Sequence, residues 1–208
     1  IEKGVVIDEI NSYKDTPSED IYDKFEEMFF EGHPLGKPIL GTVASVKKIS
    51  PEELHRFVRE KFIASNMVLS MVADIDEKVM EKKILALADK VFKDEHHGHQ
   101  LGSEKFVYPE PKQFDKSMNK RNHQTNCVIG SLAPSLYSEK ERIATVLLCN
   151  ILGGPASNSI LNSVLREKNG WVYNVECSYN QYSDCGIVAI CLGCDRENLD
   201  KCLHFIDK

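Results

Sequence analysis

No stretch of this sequence stays apolar for the roughly 20 residues that a membrane-spanning helix needs, so no helical membrane span is expected. The opening residues, IEKGVVIDEI, lack the succession of basic, apolar and small residues found in a secretory signal. Positive charge is not in surplus either: 26 Lys and Arg stand against 32 Asp and Glu, a net charge of −6. That balance argues against a nucleic-acid footprint. A disulfide framework is missing as well. The cysteines number seven, an odd count, and most sit in apolar strand or helix patterns. Cys191 and Cys194 have CxxC spacing, but they lie in a strand-like run rather than opening a helix, and two intervening strand residues put their sulfurs on opposite faces. They read as reduced, small core residues of a cytoplasmic protein, an expectation that an upstream export signal would overturn. What is present is ordinary for a soluble globular protein: 42% apolar and 28% charged residues over 208 positions, enough for one large or two small domains.

The richest stretch is Asn150 to Tyr182. Gly153-Gly154-Pro155 ends one helix and opens another, because Gly tolerates positive φ and Pro is pre-set for a first helical turn. Ser157, Asn158 and Ser159 can bond free amides at that start. Ile160, Leu161, Val164 and Leu165 recur at helical spacing. Asn169-Gly170 predicts a turn, and Trp171 to Tyr179 a strand. Arg166 at the helix end and Tyr173 just inside the strand thus flank one turn. That arrangement suits a peptide-backbone clamp, with Arg donating to a carbonyl and the Tyr hydroxyl facing a developing oxyanion. The same residues also fit a solvated surface arginine and a half-buried strand tyrosine.

Elsewhere the pattern is helical for Val5 to Ile10, with Glu2 and Glu9 seven apart and nearly eclipsed along one face. Ser18 is expected to cap a helix to about Glu31, and Ser50-Pro51-Glu52-Glu53 is a strong helix start. Asn66–Asp74, NMVLSMVAD, reads as a buried strand, followed by a helix capped by Asp76 with Val79, Ile84, Leu87, Ala88 and Val91 facing inward. Residues 93–118 are polar and aperiodic, a linker carrying His96, His97 and His99. Such a tract can bind a transition metal adventitiously, but a built site needs rigid ligands and supporting contacts. Beyond it come a strand from His123, a helix from Glu139, the stretch above, a strand Ile187–Gly193 and a final helix from Arg196. The fold class expected is α+β: antiparallel sheets covered by helices on one face, with residues 1–92 and 119–208 as two units.

These segments, taken in order, resemble the pitrilysin/insulinase superfamily of inverzincin zinc metallopeptidases, in particular its mitochondrial-processing-peptidase-like bacterial members. The resemblance rests on Glu2 to Ile10, His33-Pro34-Leu35-Gly36, Gly41, Ile49 to Leu54, Asn66-Met67 and Asp74. It continues through Leu152-Gly153-Gly154, Leu165 to Lys168, Gly170, Tyr173, Tyr182, Asp184 and Gly186. It implies that residues 1–92 are the end of a zinc-bearing domain and 119–208 most of a second, non-catalytic one. In that family a His-x-x-Glu-His helix gives two zinc ligands and the base, and a later Glu gives the third ligand. Glu9 matches that ligand, Glu2 the acid supporting it, and Arg166 and Tyr173 the pair that grips substrate.

No His-x-x-Glu-His occurs here. The resemblance therefore implies either a piece of a longer zinc endopeptidase, lying downstream of the motif and inactive alone, or a non-catalytic substrate-binding or scaffold subunit. Retained Glu2 and Glu9 favour the first. The partners implied are a peptide or unfolded polypeptide and a second, identical or related, subunit; nucleic acid and membrane are not expected. Zinc (Zn2+) is expected in the whole protein and not in this segment by itself. A metal-binding module built on His96–His99 is a third, unrelated reading.

Overall fold

The computed structural model describes residues 2–91, 111, 113–120 and 122–208. Its elements in chain order are α1 (Glu2–Asp15), α2 (Pro17–Phe29), α3 (Val43–Lys48), α4 (Pro51–Lys61), α5 (Glu77–Val91), β1 (Thr125–Ala133) and α6 (Glu139–Gly153). A π-helical segment Asn162–Lys168 follows, then β2 (Val172–Gln181), β3 (Gly186–Cys194), a 3-10 turn Arg196–Asn198 and α7 (Leu199–Ile206). By packing, the chain falls into two units: Ile1–Val46 with Lys105–Lys208, and Lys47–Glu104. The histidines of the 93–118 tract lie outside the described residues.

In the first unit the strands form an antiparallel sheet in the order β1-β3-β2. Alternation along the strands gives each face its own core. On one face Val175, Cys177, Leu192 and Cys194 pack with Cys149 of α6, Leu161, Leu165 and Cys202 of α7. On the other, Ile187 and Ala189 pack with Phe25, Phe29 and Phe30 from the end of α2. The expectation of helices on one face is thus corrected: α2 covers the second face, because Phe25 lies across Gly130 of β1, where a side chain would collide with the ring. Helix α2 starts at Pro17, two residues earlier than a Ser18 cap requires, since Pro suits the first helical position. Asp20 of α2 is paired with Lys24 and with Lys120, far along the chain.

The same interface holds a polar network. Asn180 donates to the Tyr22 hydroxyl at 2.7 Å, and the Tyr182 hydroxyl donates to Glu26 at 3.2 Å. Burial pushes the Glu26 carboxyl above its ordinary pKa, outweighing the hydrogen bond from Tyr182, which acts to lower it. Burial, then the neighbouring Glu26, pushes the Tyr182 phenol up to about 12. A carboxyl with a raised folded pKa contributes stability that is complete below its unfolded pKa and is lost as pH rises through the folded one. Glu26→Gln, which keeps an acceptor for Tyr182 without the charge, is therefore expected to match the wild type in acid and to exceed it at neutral pH. Thermal melts on either side of the carboxylate range check this; a wild type that gains on the variant as pH rises contradicts it.

The second unit is open by comparison. Helix α4 begins with a capping box: Ser50 accepts from the Glu53 amide at 3.1 Å, and Glu53 accepts from the Ser50 amide at 2.8 Å. Asp76 caps α5 by accepting from the Lys78 and Val79 amides. Two sequence expectations fail here. Asn66–Asp74 forms no strand, and its Val68 and Val72 are 97% and 99% exposed. The apolar face of α5 is not buried either: Val79, Leu87 and Val91 are exposed. The reason is shared. A strand has to place its amides and carbonyls on a neighbour, and no other strand lies among the described residues of this unit, so neither segment has a layer to pack on.

Candidate functional site

The turn Gly153-Gly154-Pro155 is held by two buried polar side chains. Ser159 donates from its hydroxyl to the Gly154 carbonyl at 3.1 Å, and Asn162 donates to the same carbonyl at 3.2 Å and to the Ser159 oxygen at 2.8 Å. Both are 4% exposed. Ser159 is visible in the sequence as a possible amide cap, whereas Asn162 shows there only as a lone amide among the apolar residues of a helix. Gly153 lets α6 touch β2 directly, since a Cβ there would sit 2.5 Å from the Cys177 amide nitrogen.

Between α6, this turn and β2 lies an open cavity of about 440 Å³. Cys149, Asn150, Asn162, Arg166, Glu176 and Gln181 are among its lining residues. Arg166 reaches it from the π-helical segment, a distortion often found where a helix serves a site. Its Nε and Nη2 both lie 3.0 Å from Glu167 Oε1, an exposed pair between sequence neighbours. Pairs of this kind contribute under about 1 kcal/mol, so a ligand oxygen can displace Glu167 from the guanidinium at little cost. Burial and the neighbouring Cys149 push the Cys177 thiol up to about 12, so this thiol is protonated and unreactive. All seven cysteines are free, as the sequence suggested.

Gly170 turns the chain with φ +61 and the Trp171 amide donates back to the Leu165 carbonyl at 2.8 Å. Tyr173 stands at a bulge in the β2–β3 ladder, 61% exposed, and its hydroxyl donates to Asp195 Oδ1 at 2.9 Å. That hydrogen bond raises the phenol pKa. Tyr173 flanks the same turn as Arg166 but does not line the cavity. Glu2 and Glu9 are exposed residues of α1 and do not line it either.

Among the described residues no three His, Cys, Asp or Glu groups come together as a metal site. Taken alone, the described chain therefore does not fit a zinc centre: Glu9 offers a single carboxylate. No helix among the described residues is long and apolar enough to cross a membrane.

The family profile described as "Peptidase M16 inactive domain" matches residues 48–208. An "uncharacterized zinc protease" of Rickettsia felis is 29% identical over 189 residues, spanning 91% of this chain and 44% of that protein. A solved structure of a peptidase M16 inactive domain from Pseudomonas fluorescens superposes with a TM-score of 0.82 at 21% identity, covering 94% of this chain and 46% of that one. A chain of complex III2 from Candida albicans gives a TM-score of 0.75 at 19% identity, over 98% of this chain and 49% of that one. The last two likenesses establish fold alone. The chain spans about half the length of the relatives it matches.

Proposed function

This chain belongs to the M16 peptidase family through the inactive-domain match over residues 48–208, and from that premise we propose that it is one part of a zinc-dependent endopeptidase. In this reading residues 1–92 carry the end of a zinc-bearing domain, with Glu9 as one metal ligand and Glu2 supporting it. Residues 119–208 carry the substrate-gripping part of a second domain, with Arg166 and Tyr173 as the clamp. The substrate is a peptide or unfolded polypeptide, and the whole protein works as a homodimer or with a related subunit. The observation that carries the reading is Arg166 on the wall of an open cavity, paired with an exposed Glu167 that a carbonyl oxygen can displace. Where an arginine and a phenol meet a peptide unit, the contribution is binding and charge stabilisation at the scissile carbonyl.

The test is peptide hydrolysis with and without a chelator. The 208-residue chain alone is expected to cleave nothing. A longer polypeptide that adds an upstream His-x-x-Glu-His segment is expected to cleave in a chelator-sensitive way, and Glu9→Gln in it to abolish both tight zinc binding and cleavage. Chelator-sensitive cleavage by the short chain, or full zinc content and activity in the Glu9→Gln protein, overturns the reading. A second reading is a non-catalytic scaffold subunit, favoured by the likeness to a complex III2 chain. An upstream segment without the motif decides for it.

A further inference from the structure

The helical segment that carries Arg166 holds one residue more than an α-helix allows. In a π-helix each amide reaches the carbonyl five residues back instead of four, and Asn162–Lys168 has that form. Both ends of the segment are tied. At its start Asn162 donates to the Gly154 carbonyl and to Ser159, and the Ser163 amide still bonds four residues back, to the Ser159 carbonyl at 2.8 Å. At its finish the Gly170 amide donates to the Arg166 carbonyl at 2.9 Å, and the Trp171 amide to the Leu165 carbonyl at 2.8 Å. Each of these two bonds reaches one residue further back than in the usual glycine cap. The extra residue is therefore carried right through to the turn.

Asn before Gly is a residue suited to left-handed backbone, but Asn169 does not use that freedom. Its φ is −111 and its ψ −18, ordinary right-handed backbone open to any residue. The side chain has a separate task. Its Nδ2 donates to the Val164 carbonyl at 2.8 Å, five residues back, while the Asn169 backbone N–H is turned to the Arg166 carbonyl. The side-chain amide thus takes the carbonyl that a five-residue step offers here, and competes for it with the Lys168 amide, its partner in an α-helix. We propose that Asn169 is a positioning residue: by holding Val164 in the π register it sets the rotation at which Arg166 enters the cavity. One residue is about 100° of rotation in a helix of 3.6 residues per turn. Loss of the extra residue would therefore swing Arg166 round the axis by up to that step relative to Asn162, which lines the same cavity. The Glu167 pair cannot prevent this, because Glu167 belongs to the same segment and turns with Arg166. The consequence for a ligand rests on the clamp reading above; the geometry does not.

Two measurements on this 208-residue chain test the proposal. The first is NMR detection of the couplings that pass through backbone hydrogen bonds, which identify the carbonyl that each amide of residues 166–168 bonds. The wild type is expected to show five-residue steps. Asn169→Asp, close to Asn in shape but without a donor, and Asn169→Ala are expected to show four-residue steps, with the Arg166 Nε–H signal displaced. Five-residue steps in both variants overturn the assignment of Asn169. The second is binding of a short labelled Ala/Leu peptide to the wild type, Asn169→Asp, Arg166→Ala and the double variant. Asn169→Asp is expected to weaken binding about 2- to 10-fold, the range for one hydrogen bond, and to weaken it no further once Arg166 is gone. Equal losses with and without Arg166, or binding untouched by Asn169→Asp, overturn the positioning role. Failure of the wild type to bind at all sinks the clamp reading, while the couplings still decide whether Asn169 holds the register.

Discussion

Arg166→Ala in the longer zinc endopeptidase proposed above is expected to lower kcat/KM by about 10²–10³-fold, the loss typical of removing one donor to a developing oxyanion. The fold gives little reason for any other effect. Arg166 is an exposed side chain whose recorded partner is the adjacent Glu167, so its removal costs little stability. Arg166→Lys keeps the charge but loses the planar fork of donors, and is expected to recover only part of the activity. The measurement is kcat/KM on a peptide substrate together with a thermal melt of each variant. A fall of only a few fold with an unchanged melt makes the cavity a structural cleft rather than a substrate site.

Gly153→Ala is the second large effect, and it is on stability. The new Cβ would sit 2.5 Å from the Cys177 backbone nitrogen and 2.8 Å from its Cβ. Neither atom is the loose end of a flexible side chain, so α6 and β2 would have to separate. Overpacking of this kind costs about 1–3 kcal/mol. Opposing it, Ala is favoured over Gly in a helix interior by about 1 kcal/mol, and by less at the last residue, where Gly153 stands. The steric term wins, and the melting temperature should fall. Gly4→Ala in α1 separates the two contributions, because nothing lies within 4 Å of a Cβ there and only the propensity gain remains. Urea unfolding followed by fluorescence of Trp171, the single tryptophan, reads both variants. A Gly153→Ala protein as stable as Gly4→Ala would mean that α6 and β2 part without cost at a contact of 2.5 Å.

The elements of the first unit were legible because their signals are local. Helix α6 and strands β1, β2 and β3 lie within a few residues of their expected bounds, since apolar periodicity and the Gly-Gly-Pro and Asn-Gly turns are properties of neighbouring residues. The failures lie where the outcome depends on a distant partner. Among the described residues of its unit, Asn66–Asp74 has a strand's composition and no strand to pair with, and α5 has an amphipathic stripe whose Val79, Leu87 and Val91 stay exposed. Of the candidate site, Arg166 and Tyr173 were visible as residues flanking a turn. Asn162 and Asp195 were not, because their roles are set by a buried carbonyl and by a bulge that no run of sequence displays.

By itself the sequence determined the kind of protein: an antiparallel α+β chain whose ordered motifs, from Glu2–Ile10 to Tyr182–Gly186, mark its family, with an arginine and a tyrosine on either side of the Gly170 turn. Tertiary structure alone decided that Arg166 reaches a cavity, that Phe25 lies across Gly130 so α2 covers the second face, and that Tyr173 gives its proton to Asp195. The division has one physical reason. Backbone conformation and amphipathic faces follow from the nearest few residues, whereas cavities and polar partners come from strand register and from close approach at single glycines. Register and close approach bring together residues that are unrelated in sequence, as with Tyr173 and Asp195; that Tyr173 grips a substrate is the proposal made above.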